Sequence, residues 1–306
     1  STAQNGAVHM PGASPAVGIC WRAGRFTYDV GRLARPLVMG IINVTPDSFS
    51  DGGQHIRLPA ALNHAERLLA EGADILDIGG ESTRPGAPPV PLDEERRRVL
   101  PVLEALAARG ACVSVDTRHP ALMREAIVAG ASIINDVQAL TVPGAIEVCA
   151  AANVGVVLMH MQGQPGTMQA APRYDGVGGV VGEVSRYLSE RARACEAAGI
   201  ARDRIVLDPG FGFGKTTEHN LELTRRFSEI VALGYPVLAG WSRKRTLGDL
   251  TGRTVASERV YASIAAALAC VAHGARIVRV HDVGATVDAL RVWGEMVGEL
   301  STLTTS

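Results

Sequence analysis

Eight short apolar runs recur along the chain, each closing on polar residues: Leu37–Asn43, Ala73–Gly79, Cys112–Thr117, Ser132–Val137, Gly155–His160, Ile205–Pro209, Pro236–Ser242 and Arg276–His281. They are almost continuously apolar, as parallel strands buried on both faces must be. Between them lie segments with helical spacing: Pro59–Glu71, Leu92–Arg109, Pro120–Ala129, Ala145–Ala152, Gly179–Ala198, Thr217–Leu233 and Ser257–His273, with a final one from Gly284 to about Leu300. Eight strands alternating with eight helices predict an α/β fold, the closed (β/α)8 TIM barrel. An open doubly wound sheet would carry a glycine fingerprint after its first strand, where this chain has Asn43-Val44-Thr45-Pro46. Ahead of the rhythm, Cys20–Val30 alternates loosely and predicts a short hairpin turning at Gly24. Residues 1–19, rich in Ala, Gly and Pro, are expected to form a flexible tail, and 20–306 one catalytic barrel domain.

Composition narrows the classes. At 306 residues and 47% hydrophobic content the chain can offset its backbone entropy with a large core. Thirty Lys+Arg against 31 Asp+Glu give a net charge of −1, so no global field draws it to nucleic acid or an anionic membrane. Five dispersed cysteines without a C-x-x-C pair argue against a zinc ribbon or disulfide framework and for free thiols in a reducing compartment. The longest apolar stretch, Ala262–Ala272, is too short to span a bilayer, and no basic segment leads into an apolar run at the start. A cytoplasmic enzyme without membrane partner is the expectation.

Chemistry in such a barrel gathers where strands end. Those ends hold Asn43, Asp77, Asp116, Asn135, Met159 with His160, Asp208, Ser242 with Lys244, and Arg279 with His281. Carboxylates pair with adjacent N–H donors and an amide reads a donor–acceptor edge, so Asp116, Asn135 and Asp208 suit a flat heterocycle. Lys244, Arg279 and His281 offer charge for a phosphorylated group, and Arg279 and His281 share one face because strand side chains alternate. Two βα loops, 45–53 and 79–89, are long enough to close over a site. The segment Asp208–Thr216 imitates a P-loop but has Pro209 where that motif needs glycine; its glycines are expected to let the backbone approach a planar ligand. His160, without a metal-spaced partner, reads as structural, Trp241 as packing, and Glu94-Glu95-Arg96-Arg97-Arg98 as a solvated helix face.

Two long motifs, 39–53 (MGIINVTPDSFSDGG) and 77–86 (DIGGESTRPG), resemble the signatures of the dihydropteroate synthases. Ser114-Val115-Asp116-Thr117, Ile134-Asn135-Asp136, Leu158-Met159-His160-Met161, Asp208–Lys215, Ser242-Arg243-Lys244 and Arg279-Val280-His281 follow in that family's order, so the resemblance covers about residues 36–300. Trp241 before Ser242 and Arg245 after Lys244 depart from the family pattern. Pterin-binding methyltransferase domains share the barrel and some acids but lack the first loop and Thr83-Arg84-Pro85.

The resemblance implies condensation of a dihydropterin 6-hydroxymethyl diphosphate with 4-aminobenzoate to give dihydropteroate and diphosphate, by a homodimer assisted by Mg2+. It implies that Asp116, Asn135 and Asp208 hydrogen-bond the pterin, with Asp77 also at the substrate site, that Lys244 reaches its ring, and that Arg279 lies against its face, with Met159 and Phe213 shaping the pocket. Asn43 is expected to hold Mg2+, with Asp51 assisting catalysis from the first loop. Arg84, Arg279 and His281 would grip the diphosphate, and Phe49, Thr83, Pro85 and Ser242 would form the aminobenzoate site.

Overall fold

A computed structural model describes residues 19–45, 58–82, 86–163 and 172–297 of the chain. It opens with the hairpin β1 (Cys20–Ala23) and β2 (Phe26–Asp29), antiparallel and turning at Gly24, whose φ of +61° suits glycine. Then come β3 (Leu37–Asn43), α1 (Leu58–Ala70), β4 (Ile75–Gly79), α2 (Leu92–Ala108), β5 (Val113–Asp116), α3 (Pro120–Ala129), β6 (Ile133–Asp136), α4 (Ala145–Ala150), β7 (Gly155–Met159), α5 (Gly179–Ala197) and β8 (Ile205–Asp208). The chain continues through α6 (Thr217–Arg225), α7 (Phe227–Val231), β9 (Leu238–Ala239), α8 (Arg245–Thr251), α9 (Val260–Ala272), β10 (Ile277–Val280) and α10 (Val283–Val297).

The parallel ladder runs β8-β7-β6-β5-β4-β3-β10-β9. A bridge between Leu207 and Val237 joins its ends, with the Leu207 amide donating to the Pro236 carbonyl at 3.0 Å. The sheet therefore closes into the expected barrel. Period two then sorts the strand residues. Val38, Ile42, Leu76, Ile78, Val113, Val115, Val156, Leu158 and Val278 point outward into the shared core with the helices. The inward set forms a continuous apolar layer where the strands begin, at Leu37, Met39, Ile75, Ile133, Val157, Val206, Leu238 and Ile277. Higher up, polar and charged residues predominate, with Ile41 and Met159 among them.

The hairpin closes the bottom of this interior. Trp21 and Ala23 belong to the same buried inner cluster, and the Trp21 indole N–H donates to the Arg204 carbonyl at 3.2 Å. A Cβ on Gly155 would sit 3.0 Å from the Trp21 indole nitrogen and 3.1 Å from the Ala23 side chain, so the first residue of β7 leaves the space the hairpin fills.

The structure departs from the sequence reading at several places. The helix expected over Thr217–Leu233 breaks at Arg226, which leaves helical geometry (φ −110°, ψ 23°) so that Phe227 and Ile230 turn into the core. α8 carries no sequence period because it is only 7 residues long. The Glu94–Arg98 run is not a uniformly solvated face. Arg97 and Arg98 do pair with Glu94, but Glu95 is 1% exposed because it is on the side of α2 turned toward the barrel. All five cysteines are free thiols, four of them buried. No helix among the described residues is long and apolar enough to cross a membrane.

Trp21→Ala should lower the free energy of unfolding by about 3–5 kcal/mol, as expected for truncating a fully buried aromatic. Urea denaturation followed by far-UV circular dichroism measures it. A loss no larger than that of a surface aromatic would show that the hairpin does not support the barrel.

Candidate active site

The polar part of the barrel interior forms a narrow cleft at the strand C-termini. The ladder pairs Gly79 with Asp116 and Asp116 with Asn135, so these inward side chains stand next to one another. β7 and β8 add Met159 and Asp208, likewise a ladder pair. Asp116, Asn135, Val137, Met159, Asp208, Phe213, Lys244 and Arg279 line the cleft, with the backbone at Gly210 and Gly240. Val137, Met159 and Phe213 form its small apolar wall. The Lys244 ammonium lies 4.3 Å from the centre of the Phe213 ring.

Asp77 lies beneath this lining, 1% exposed. Its Oδ2 accepts from Arg279 Nε at 2.8 Å and from Asn135 Nδ2 at 3.3 Å, so it orients two groups that face the cleft. Arg279 reaches on to Asp116 Oδ2 at 3.5 Å. Asp77 Oδ1 and the hydroxyl of Ser114 are buried without a hydrogen-bond partner, polar atoms that a ligand or water must satisfy. Ser114, which the sequence places in a family motif without a role, stands two residues before Asp116 on the same face, so period two brings it to the cleft.

Burial and charge set the protonation balance. Burial, and then the Asp77 carboxylate, push Asp116 well above the usual carboxylate range, while Arg279 opposes them. Burial also raises Asp208, against the Gly210 N–H that donates to its Oδ1 at 2.8 Å. Burial and Arg279 push Lys244 down to about 8, opposed by Asp208 and Asp116. Desolvation works against the Arg279 guanidinium, yet the Asp77 and Asp116 carboxylates outweigh it and hold the group above its ordinary value.

A second, wider cavity of about 700 Å3 opens beside the cleft, lined by Ile41, Asn43, Ala60, Asn63, His64, Arg67 and His281. Arg279 lines the cleft, and His281, two residues on, lines the wider cavity. Ser242 links the two: its hydroxyl accepts the His281 amide at 3.0 Å and contacts His281 Nδ1 at 2.7 Å. Phe49, Asp51, Thr83, Arg84 and Pro85 lie outside the described residues.

The glycines after β8 answer a demand other than ligand approach. Gly210 does line the cleft, but its φ is +72° and a Cβ there would stand 2.0 Å from the His160 carbonyl oxygen. At Gly214, with φ +68°, it would stand 2.3 Å from that of Gln162. Close packing of two βα loops is what excludes a side chain. Lys215 ties them: its buried ammonium donates to the Gly210 and Phe213 carbonyls at 2.8 and 3.0 Å and contacts His160 Nδ1 at 3.0 Å. Burial holds Lys215 down at about 7 and His160 at about 2, so His160 is a neutral structural partner, as its sequence context suggested. Trp241 packs as expected, stacked on Phe211 at 4.6 Å with its indole donating to Thr224. Arg243 turns away to pair with Asp282 at 2.9 Å, which leaves Lys244 as the cation of its motif that faces the cleft.

Residues 39–281 match the pterin-binding enzyme family. The dihydropteroate synthase of Neisseria meningitidis serogroup B is 57% identical over 279 residues, covering 89% of this chain and 96% of that one. Among solved structures, the Xanthomonas albilineans dihydropteroate synthase with 4-aminobenzoic acid superimposes with a TM-score of 0.81 at 55% identity, covering 86% of this chain and 94% of that one. The Burkholderia cenocepacia enzyme complexed with 7,8-dihydropteroate gives a TM-score of 0.82 at 48% identity, covering 92% and 98%. With the family match spanning residues 39–281 and relatives more than half identical along nearly their whole length, the chain belongs to the dihydropteroate synthase family of pterin-binding enzymes.

Proposed function

We propose that the chain condenses a dihydropterin carrying a 6-hydroxymethyl diphosphate with 4-aminobenzoate, releasing diphosphate and 7,8-dihydropteroate in folate biosynthesis. The observation that carries this reading is the narrow cleft lined together by Asp116, Asn135, Asp208, Lys244 and Arg279, with Asn43 and His281 on a wider cavity. A planar heterocycle with adjacent N–H donors suits the carboxylates, and the amide of Asn135 reads a mixed edge. The diphosphate then extends past Arg279 toward Asn43 and His281. Thr83, Arg84, Pro85, Phe49 and Ser242 are proposed for the aminobenzoate and diphosphate contacts on the basis of family resemblance.

The carbon–oxygen bond to the diphosphate breaks with its electron pair leaving on the diphosphate. The electron-rich dihydropterin delocalises the resulting cation, so an SN1-like path is favoured. The lone pair of the 4-aminobenzoate amine then forms the new carbon–nitrogen bond, and its proton leaves. Asp116, fixed beside Arg279, stabilises the positive charge that develops on the ring. Arg279 and His281 stabilise the departing diphosphate.

The donor chemistry near Asn43 fits a magnesium ion. Asn43, with a neutral amide oxygen to offer, lines the wider cavity, and Mg2+ keeps several waters and takes most of its other ligands from phosphate oxygens. Asn43 would hold the ion, with Asp51 assisting. Mg2+, when bound, supplies charge neutralisation to the diphosphate. A cytoplasmic homodimer completes the proposal. Val292 and Met296 on α10, and Tyr261 on α9, are exposed apolar side chains at 56%, 80% and 86%, which suits burial against a second copy.

Diphosphate release from the dihydropterin substrate, with and without 4-aminobenzoate, tests the activity. Asp116→Asn should cost about 2–4 kcal/mol of transition-state stabilisation, roughly 30- to 800-fold in kcat/KM. Wild-type turnover in that variant would overturn the role given to Asp116, and absence of release in the wild type would overturn the function.

The pH profile of kcat/KM for the pterin substrate should be bell-shaped. The acidic limb rises as Asp116 loses its proton, at a pH above the ordinary carboxylate range because its value is raised. The basic limb falls near pH 8, where Lys244 loses its charge. Lys244→Arg should move the basic limb upward, because a guanidinium stays charged; an unmoved limb would assign it to another group. Sedimentation equilibrium of Val292→Asp/Met296→Asp should report a monomer where the wild type is a dimer.

A further inference from the structure

Away from the cleft, three side chains converge where β4, α2 and α3 meet. Glu81 follows β4, Glu95 stands in the first turn of α2, and His119 caps α3. One ligand atom from each lies within 4.8 Å of the others. Glu95 is the telling member. It is 1% exposed, and the Thr117 hydroxyl is its one nearby donor, at less than full hydrogen-bond geometry, so that two carboxylate oxygens share at most one weak partner. His119 Nε2 is buried without a hydrogen-bond partner. Burying a carboxylate and an imidazole nitrogen so poorly satisfied is costly, and natural proteins keep such groups where something else meets them.

The spacing indicates what does. His119 Nε2 and Glu95 Oε2 are 3.4 Å apart. That is long for a hydrogen bond but matches the edge of a tetrahedron whose corners lie about 2.0–2.1 Å from a central ion. Glu81 retains acceptor capacity: Oε1 accepts Arg118 Nε at 3.0 Å and Oε2 accepts the Val90 amide at 2.8 Å, and a carboxylate offers about four lone-pair directions. The neighbouring cations are already engaged, Arg118 by Glu81 and Arg98 by Glu94 and the Gly80 carbonyl. His119 keeps 24% of its side chain exposed, which provides an entry path.

We infer that Glu81, Glu95 and His119 form a binding site for a divalent first-row transition-metal ion, separate from the Asn43 cavity. One imidazole and two carboxylates with an open fourth position suit Zn2+ better than Mg2+, which takes oxygen ligands. The bound ion ties the loop after β4 to the N-termini of two helices.

The test uses tag-free, chelator-stripped full-length protein carrying Cys20→Ser, titrated with ZnCl2 by isothermal calorimetry in excess Mg2+. One Zn2+ per chain is expected, with a rise in Tm on loading. Glu95→Gln and His119→Ala should each weaken binding by about tenfold or more and abolish the Tm rise. A zinc-edge anomalous peak between the three side chains would locate the ion. Absence of saturable binding at micromolar Zn2+, or equal binding by wild type and both variants, overturns the site. Should His119→Ala fail to fold, Glu95→Gln, a near-isosteric change whose folding is checked by its metal-free Tm, decides alone. Pterin turnover, assayed separately with Mg2+, does not enter the result.

Discussion

One partly buried guanidinium, that of Arg279, balances the charge of the cleft. Asp77, Asp116 and Asp208 converge at the mouth of a barrel whose walls are otherwise apolar, and uncompensated burial of acids there would be prohibitive. Arg279 reaches two of them, with Asp77 Oδ2 at 2.8 Å and Asp116 Oδ2 at 3.5 Å. The pairing is not a simple stabiliser, because desolvation of both partners offsets much of the attraction. What it secures is orientation. Asp77 holds Arg279 and Asn135 from below, so the residues facing the cleft are positioned by one that does not line it.

The barrel supports this by separating its tasks. The outward residues pack on the helices, and the inward residues form a continuous apolar layer at the bottom, where Trp21 and the hairpin seal the interior. The mouth is thereby left to polar groups without weakening the core. The βα loops are held by their own buried contacts. Lys215 binds carbonyls after β8, and Asp136 accepts the Gln138 and Leu140 amides at 2.8 and 2.9 Å, fixing a turn in which Ala139 and Leu140 have positive φ. Asp136 faces outward, so although it adjoins Asn135 in sequence it does not belong to the cleft.

Charged residues in this molecule therefore differ in role according to the face they occupy. Within Glu94–Arg98, Glu94 and Arg97 form an exposed pair of the usual helical spacing, whereas Glu95, one residue along, is buried behind the strand ends. Arg243 and Lys244 likewise part company, the first to Asp282 and the second to the cleft.

Much of this is legible in the sequence. Parallel strands buried on both faces leave continuous apolar runs, so the eight strands, the barrel and the hairpin turn at Gly24 could be read locally, and strand ends identified Asp116, Asn135, Asp208 and Arg279 by position alone. The break at Arg226, the short α8 and the burial of Glu95 were not legible, because each depends on which neighbour occupies the space beside it. So did the glycines at 210 and 214, whose reason is a carbonyl oxygen from another loop. Periodicity assigns a side chain to a face; only the packed barrel decides what stands opposite, and hence whether a charge is solvated, paired or left to bind something else.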